Sequence, residues 1–270
     1  MTTLVPPMPY SGGKQRIAER IVSLFPAHDH YVEPFGGALS VLLAKRPSKI
    51  ETVNDLNRSL MTFWRVLRDQ PADLERACAL TPHSRAEFAA ARDLTPADEV
   101  EIARRVWVQL TQGRGSRLGV RTGWRFVHGT KRMTLARYLD GYLARIAPAA
   151  QRLRNVTLEC RDALTVIHAY ERPGCLLYVD PPYLAETRHG AQYADEFMRT
   201  DQHETLLDAL ISTPAAVVLS GYDSDLYRDR LAGWERHEFA ATAMTGHPRT
   251  EVVWTNRLRS DGALPFEVTA

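Results

Sequence analysis

The sequence predicts an α/β protein in which a parallel sheet is covered by helices on both faces and interrupted by a mostly helical, basic insertion. Three observations predict it. Runs rich in β-branched residues alternate with helical patterns along most of the chain, the order expected of a parallel sheet with crossover helices. From about Phe63 to Ala149 that alternation stops and helical patterns follow one another. Inside that stretch, Arg104 to Leu139 holds nine Lys or Arg and no Asp or Glu, and segregated charge of this kind marks an anionic partner.

Composition narrows the class. The 270 residues are 44% apolar and 24% charged, ordinary values for a soluble globular protein. No apolar run approaches the roughly 18 residues that a membrane span needs. The start, "MTTLVPPMPYSGGKQ", has no basic segment followed by an apolar one and predicts no secretory signal. Cys78, Cys160 and Cys175 are odd in number and lack metal-ligand spacing, which predicts a reduced, metal-free intracellular protein. The formal net charge of +2 implies no partner by itself; its distribution does.

The elements follow in order. "HDHYVEPF" (28–35) ends a strand, "GALSVLLAKR" (37–46) reads as a helix, and "SKIETVND" (48–55) as a second strand. "VTLEC" (156–160), "CLLYVD" (175–180), "AAVVLS" (215–220) and "EVVWTN" (251–256) are further strand candidates, and "HETLLDALIS" (203–212) is one of the helices between them. In the insertion, Thr81 and Thr95 each precede a Pro and read as helix starts. In open α/β sheets ligands sit beyond the carboxyl ends of the strands, so the residues after "YVEPF", "ETVND" and "LLYVD" fall on one rim.

That rim carries the motifs. In "EPFGGALS", Gly36 and Gly37 let the backbone approach a ligand, although the stretch is not a GxGxxG and also fits a plain tight turn. In "NDLN", Asp55 ends the next strand and can accept hydrogen bonds from both hydroxyls of a ribose, or serve as a helix cap. Asp162 in "ECRDAL" carries the same two readings. "PYSGGKQ" fails as a P-loop, since Met8 stands where the first glycine belongs and Gln15 where Ser or Thr does. Lys14 then reads as a cation available to a carboxylate, or as a solvated surface lysine.

"YVDPPYL" (178–184) holds the strongest signal. Proline cannot continue a sheet ladder, so the strand stops at an acid, two rigid residues and an aromatic ring. The Asp180 carboxylate and the Pro181 carbonyl are two acceptors that suit an exocyclic –NH2, and Tyr183 offers a face for a base. Together they describe a pocket for the amino edge of a nucleobase taken out of its stack.

These motifs resemble those of Dam-like DNA adenine-N6 methyltransferases over nearly the whole length. "PYSGGK" resembles the family's N-terminal motif, "YVEPFGGALSVLLAK" its cofactor loop, "NDLN" its ribose-binding motif and "YVDPPY" its catalytic motif; "VVLSGYD" and "RTEVVWTN" resemble later strands. The resemblance implies a Rossmann-like class I methyltransferase sheet, with a catalytic domain of residues 1–62 and 150–270 and an inserted target-recognition domain of 63–149. It implies S-adenosylmethionine as methyl donor, no metal, and contacts to that donor from Tyr10, Lys14, Asp55 and Asp180. Phe35 and Gly37 would form the loop wall, and Asp162 would sit near the donor's adenine. The family usually has a second glycine two residues after the first, where this chain has Leu39. The expected reaction holds the adenine N6 hydrogens on Asp180 and Pro181 so that its lone pair attacks the sulfonium methyl in line.

"GRGSRLGVRTGWRFVHGTKR" (113–132) is the expected DNA reader, with Arg114, Arg117, Arg121, Arg125, Lys131 and Arg132 as contacts. Arg117, Arg121 and Arg125 alternate at period two with Leu118, Val120, Trp124 and Phe126, so a ribbon strand would put the arginines on one face, for base or phosphate contacts. "LAETRHGAQYADEFMRTDQH" (184–203) is expected as a lid, with Tyr193 and Phe197 closing on the base or capping the core. The expected substrate is double-stranded DNA and the expected location the cytoplasm, for a bacterial or phage-encoded protein, with no membrane association. The rival readings are an N4-cytosine methyltransferase and a catalytically silent DNA-binding protein of the same fold.

Overall fold

The computed structural model describes residues 3–95, 98–125, 135–184, 199–242 and 248–256. The strands are β1 (His30–Glu33), β2 (Ile50–Asn54), β3 (Val156–Glu159), β4 (Cys175–Val179), β5 (Ala216–Gly221), β6 (Glu235–Thr242) and β7 (Pro248–Thr255). Among the described residues they form one seven-stranded sheet in the order β3-β2-β1-β4-β5-β7-β6. The first five are mutually parallel, while β7 runs antiparallel between β5 and β6. The expected all-parallel sheet is therefore a mixed one. β6, unannounced in the sequence, lies at the edge and carries the charged run Glu235, Arg236, His237 and Glu238, which discourages pairing with another chain.

Alternate residues of each central strand feed the two faces. Tyr31, Leu176, Tyr178, Val218 and Val253 join one apolar cluster; Val32, Leu177, Val179, Val217 and Trp254 join the other. The second face is covered by α9 (Ala163–Tyr170), α10 (Thr200–Ser212) and α11 (Asp225–Arg230). The first is covered by α1 (Ala18–Val22), α2 (Ser40–Ala44) and the long crossover between β2 and β3. That crossover contains α3 (Arg58–Asp69), α4 (Pro71–Ala79), α5 (Arg85–Ala90), α6 (Glu99–Gln112), α7 (Leu135–Leu143) and α8 (Ile146–Leu153). It buries Trp64, Leu67, Val106, Trp107 and Ile146 in the same cluster as Tyr31.

Two helix starts differ from expectation for local reasons. Ser84, not Thr81, caps α5 by accepting from the Glu87 N–H, because the Thr81 hydroxyl bonds back to the Ala77 carbonyl at the end of α4. Asp98, not Thr95, caps α6, because Thr95 is held by the Asp93 carboxylate through both its N–H and its hydroxyl.

The chain steps outward from β1 to β2 and β3 on one side, and from β4 to β5 on the other. The reversal lies between β1 and β4, whose carboxyl ends open into the Glu33–Leu39 and Asp180–Leu184 segments. The helical crossover is tied to this rim: Trp64 Nε1 donates to the Gly37 carbonyl at 2.9 Å, and Trp107 Nε1 to the Pro7 carbonyl at 3.1 Å.

Candidate active site

Each strand end contributes a loop whose shape follows from its residues. After β1, the Gly36 N–H donates to the Asn54 carbonyl at 2.7 Å, and a Cβ at Gly36 would lie 2.9 Å from that oxygen. No side chain fits there without moving backbone. Gly37 takes φ +50 and donates to Asp55 Oδ2 at 2.9 Å. Leu39, where the family usually has glycine, also sits in the left-handed region, at φ 51 and ψ 32, and starts α2. The turn is thus kept with leucine: the conformation costs about 1–2 kcal/mol, offset by full burial of the side chain, about 1.5–3 kcal/mol.

Asp55 joins two loops. Its Oδ2 holds Gly37 and its Oδ1 accepts from the Asn57 N–H at 2.9 Å, while Asn57 itself caps α3. The cap reading therefore belongs to Asn57. Asp162 does cap its helix, α9, accepting from the Thr165 N–H at 3.1 Å.

Lys14 is 6% exposed, which excludes a solvated surface role. Gly12 takes φ +81, and the Gly13 N–H closes a turn onto the Tyr10 carbonyl at 3.1 Å. This turn points the ammonium at β4: Nζ donates to both Asp180 oxygens at 2.7 Å and to the Gly12 carbonyl at 2.9 Å. The nearest carboxylate to Lys14 is that of Asp180. Burial pushes the Asp180 carboxyl above its ordinary pKa; Lys14 opposes this and the nearby Glu251 adds to it.

Tyr183 is 6% exposed, with its hydroxyl 3.2 Å from Asp180 Oδ1 and hydrogen-bonded to Glu251. Tyr222 packs edge-on against its ring at 4.3 Å, and the Lys14 ammonium lies 4.9 Å from the ring centroid. Pro181 is buried beside it.

A cavity of about 590 Å³ opens along this rim. Tyr10, Lys14, Phe35, Gly37, Asp55, Asp162 and Asp180 all line it, so the loops bring every expected donor contact to one space. Its size is that of a small-molecule site. Several other lining residues were not expected as donor contacts, among them Glu33, Leu118 and Pro182. Glu33, on β1, is 2% exposed; burial pushes its carboxyl up to about 8, against the hydrogen bond it accepts from Tyr31. Leu118 comes from the basic loop, and Pro182 follows Pro181. An acid before Pro34 inside a buried strand was the available signal for Glu33. Among the described residues no group of three or more His, Cys, Asp or Glu is placed to hold a metal ion, and no helix is long and apolar enough to cross a membrane.

The basic segment differs from the expected ribbon. Gly113 and Trp124 form an antiparallel bridge, flanked by hydrogen bonds from the Arg114 N–H to Gly123 and from the Arg125 N–H to Gln112. Between these arms the chain is a loop, since Gly115, Ser116 and Gly119 are left-handed and cannot extend a strand. Period two along Arg117–Arg125 is thereby lost. Arg114 and Arg121 are exposed; Arg117 is half-buried. Arg125 is half-buried too, and its guanidinium lies 5.1 Å from the Tyr138 ring. Arg104 and Arg105 pair with Glu101, Glu87 and Asp93, so part of the expected charge excess is satisfied internally. The loop is fastened to the rim by the Ser11 N–H, which donates to Ser116 at 2.9 Å. Lys131, Arg132 and Phe126, and the expected lid residues Tyr193 and Phe197, lie outside the described residues.

Residues 10–244 match the family described as D12 class N6 adenine-specific DNA methyltransferase. The Type II methyltransferase M1.LlaDCHI of Lactococcus lactis subsp. cremoris is 28% identical over 272 residues, spanning 92% of this chain and 93% of that protein. Among solved structures, the rRNA methyltransferase aviRa of Streptomyces viridochromogenes aligns with a TM-score of 0.41 at 15% identity, covering 93% of this chain and 87% of that one. A methyltransferase from Geobacter sulfurreducens aligns with a TM-score of 0.39 at 10% identity, covering 89% and 76%.

Proposed function

The chain belongs to the D12 class of N6 adenine-specific DNA methyltransferases, enzymes that use S-adenosylmethionine, and from that premise we propose how its own residues carry the reaction. The observation that carries the proposal is the Lys14–Asp180 pair on the wall of the cavity that also gathers Tyr10, Phe35, Asp55 and Asp162.

The cavity suits the methyl donor. Asp55 presents a carboxylate to the ribose hydroxyls, the rings of Tyr10 and Phe35 offer flat surfaces, and Gly37 lies against the Tyr10 ring where a side chain would crowd it. Asp162 stands near the donor's adenine. Bound there, S-adenosylmethionine supplies an electrophilic methyl on sulfur, and transfer from a sulfonium calls for no metal. Asp180 and the Pro181 carbonyl accept the N6 hydrogens of a target adenine extruded from duplex DNA, and localise its lone pair on nitrogen. Lys14 orients the Asp180 carboxylate, and Tyr183 forms the wall beside it. The contribution is positioning together with fixed charge.

Residues 63–149, between the donor and catalytic segments, act as the target-recognition domain. The exposed Arg114 and Arg121 head the DNA contacts, with Arg117, Arg125, Lys131 and Arg132 completing the set. The enzyme works in the cytoplasm as a site-specific modifier, in restriction–modification or in phage DNA modification.

The test is base-resolved modification sequencing of plasmid from a methylation-free host expressing the wild-type chain or Asp180→Ala. N6-methyladenine in one short motif, falling by about 10³-fold or more in the variant, is the expected result. Near-normal methylation by Asp180→Ala would sink the assignment. Methyladenine scattered without a motif would leave the arginine loop with phosphate contacts alone.

A further inference from the structure

The site contains a second acid. Glu251 lies on β7, 6% exposed, 68 residues from Tyr183 in the chain and hydrogen-bonded by its hydroxyl. The same hydroxyl is 3.2 Å from Asp180 Oδ1, and the Lys14 ammonium that holds Asp180 is 3.4 Å from Glu251 Oε1. A phenol has one proton to donate. Between two carboxylates it satisfies one at a time, and the closer partner here is Glu251. One ammonium likewise serves two acids. Both arrangements leave Asp180 short of full compensation in a buried place, where a neighbouring carboxylate makes an acid hold a proton more readily.

We propose that Glu251 is a positioning residue for methyl transfer, which engages the Tyr183 hydroxyl and shares the Lys14 ammonium so that Asp180 stays a strong proton acceptor for the adenine N6. The proposal rests on Asp180 being the N6 acceptor, as read above. The nitrogen–carbon bond forms as the carbon–sulfur bond breaks, whose electron pair remains on sulfur. The methylated nitrogen gives up one proton to the Asp180 carboxylate, which releases it to water after the product leaves. Glu251 changes how readily that carboxylate accepts, without touching substrate.

Asp180 is faced by Lys14 from the N-terminal turn, Glu33 from β1, Tyr178 from β4, Tyr183 from its own loop, Tyr227 from α11 and Glu251 from β7. Burial keeps Glu33 protonated up to about 8 and holds the Tyr183 and Tyr178 hydroxyls well above the usual phenol range. Replacement of Glu251 is the change that tests the second acid.

The measurement is single-turnover methyl transfer by the full chain on a duplex oligonucleotide, from about pH 5 to about 9. Glu251→Gln keeps the shape and is expected to move the acid limb down by about one unit and to lower the plateau about tenfold. Affinity for S-adenosylmethionine should stay within about twofold, and Glu251→Asp should restore part of both effects. Tyr183→Phe removes the one hydroxyl that Asp180 and Glu251 share, leaves the two carboxylates less compensated beside each other, and should move the limb the other way. An acid limb left at its wild-type position in Glu251→Gln overturns the proposal. If that variant does not fold, an unmoved limb in Tyr183→Phe overturns it instead. Asp180→Asn separates the two levels: methylation by that variant removes the underlying assignment, whereas its inactivity beside an unmoved limb in Glu251→Gln removes only the role of Glu251.

Discussion

Two lysines are buried against carboxylates at opposite ends of the parallel strands, with opposite balance. At the carboxyl rim, Lys14 serves two acids, Asp180 and Glu251. Near the start of β2, two cations, Lys45 and Arg152, serve the single acid Glu51, with Arg152 Nη2 2.7 Å from its Oε1. Burial pushes both Asp180 and Glu51 towards the protonated form. At Glu51, hydrogen bonds from Arg152 and Lys45 outweigh it and the carboxyl lies below its ordinary range. At Asp180, one shared ammonium does not, and the carboxyl lies above it. The ratio of cations to acids, rather than burial, separates an ionised strut from a proton acceptor.

The largest way to break this comparison is to delete the shared acid of the strut. Glu51→Ala leaves two cations buried without their acid, and should lower unfolding free energy by about 3–5 kcal/mol. Denaturant unfolding measures this, and methylation per folded molecule should be unchanged. A loss under about 1 kcal/mol would mean that the cations find water once Glu51 is gone.

Next in size is Glu33, beneath the rim and protonated up to about 8 in the folded chain. Its folded pKa is raised above the unfolded one, so the folded state binds the extra proton between the two values. Stability is then full below the ordinary glutamate range and is lost as pH rises through about 8. Glu33→Gln keeps the shape without the proton, and should flatten the fall in Tm between about pH 5 and 8. An equally steep fall in the variant would exclude Glu33 as its source.

The contrast between the clusters also shows what a sequence can express. The strands at "YVEPF", "CLLYVD" and "AAVVLS" were legible because both of their faces are buried and β-branched residues fill them. Asp180 was legible because the two prolines end its strand, which places the acid on the rim whatever the rest of the chain does. β6 was not, since an edge strand exposed on one side carries the charges of a surface loop. Glu251 was hidden for a related reason: a lone acid in "TEVVWTN" reads as the solvent side of a period-two pattern, and its partners Lys14 and Tyr183 come from distant parts of the chain. Nor can a leucine announce the left-handed turn at Leu39, which the Gly36 and Asp55 hydrogen bonds impose from outside. The arginine alternation misled because period two has meaning only in extended backbone, and the left-handed Gly115 and Gly119 break the extension.

The smallest effect belongs to Lys45, and it sharpens the ratio argument. Its ammonium contacts Glu51 and Ser48 and lies 4.6 Å from the Tyr31 ring centroid, while burial pulls its pKa down against the help of Glu51. Lys45→Met keeps most of the stem and leaves Glu51 with Arg152, which bonds both of its oxygens. One cation then meets one acid. The lost attraction is set against the relief of desolvating one ammonium fewer, so stability should change by about 1 kcal/mol or less at neutral pH. Glu51 should titrate closer to its ordinary range, because one of the two groups that hold it down is gone. The retained stability should therefore fall away at a higher pH than in the wild-type chain as the solution is acidified. Urea unfolding of the wild-type chain and Lys45→Met from about pH 3 to 7 measures both effects. Coincident acid limbs would mean that Arg152 alone keeps Glu51 ionised, and the rule would then concern how an acid is bonded rather than how many cations surround it.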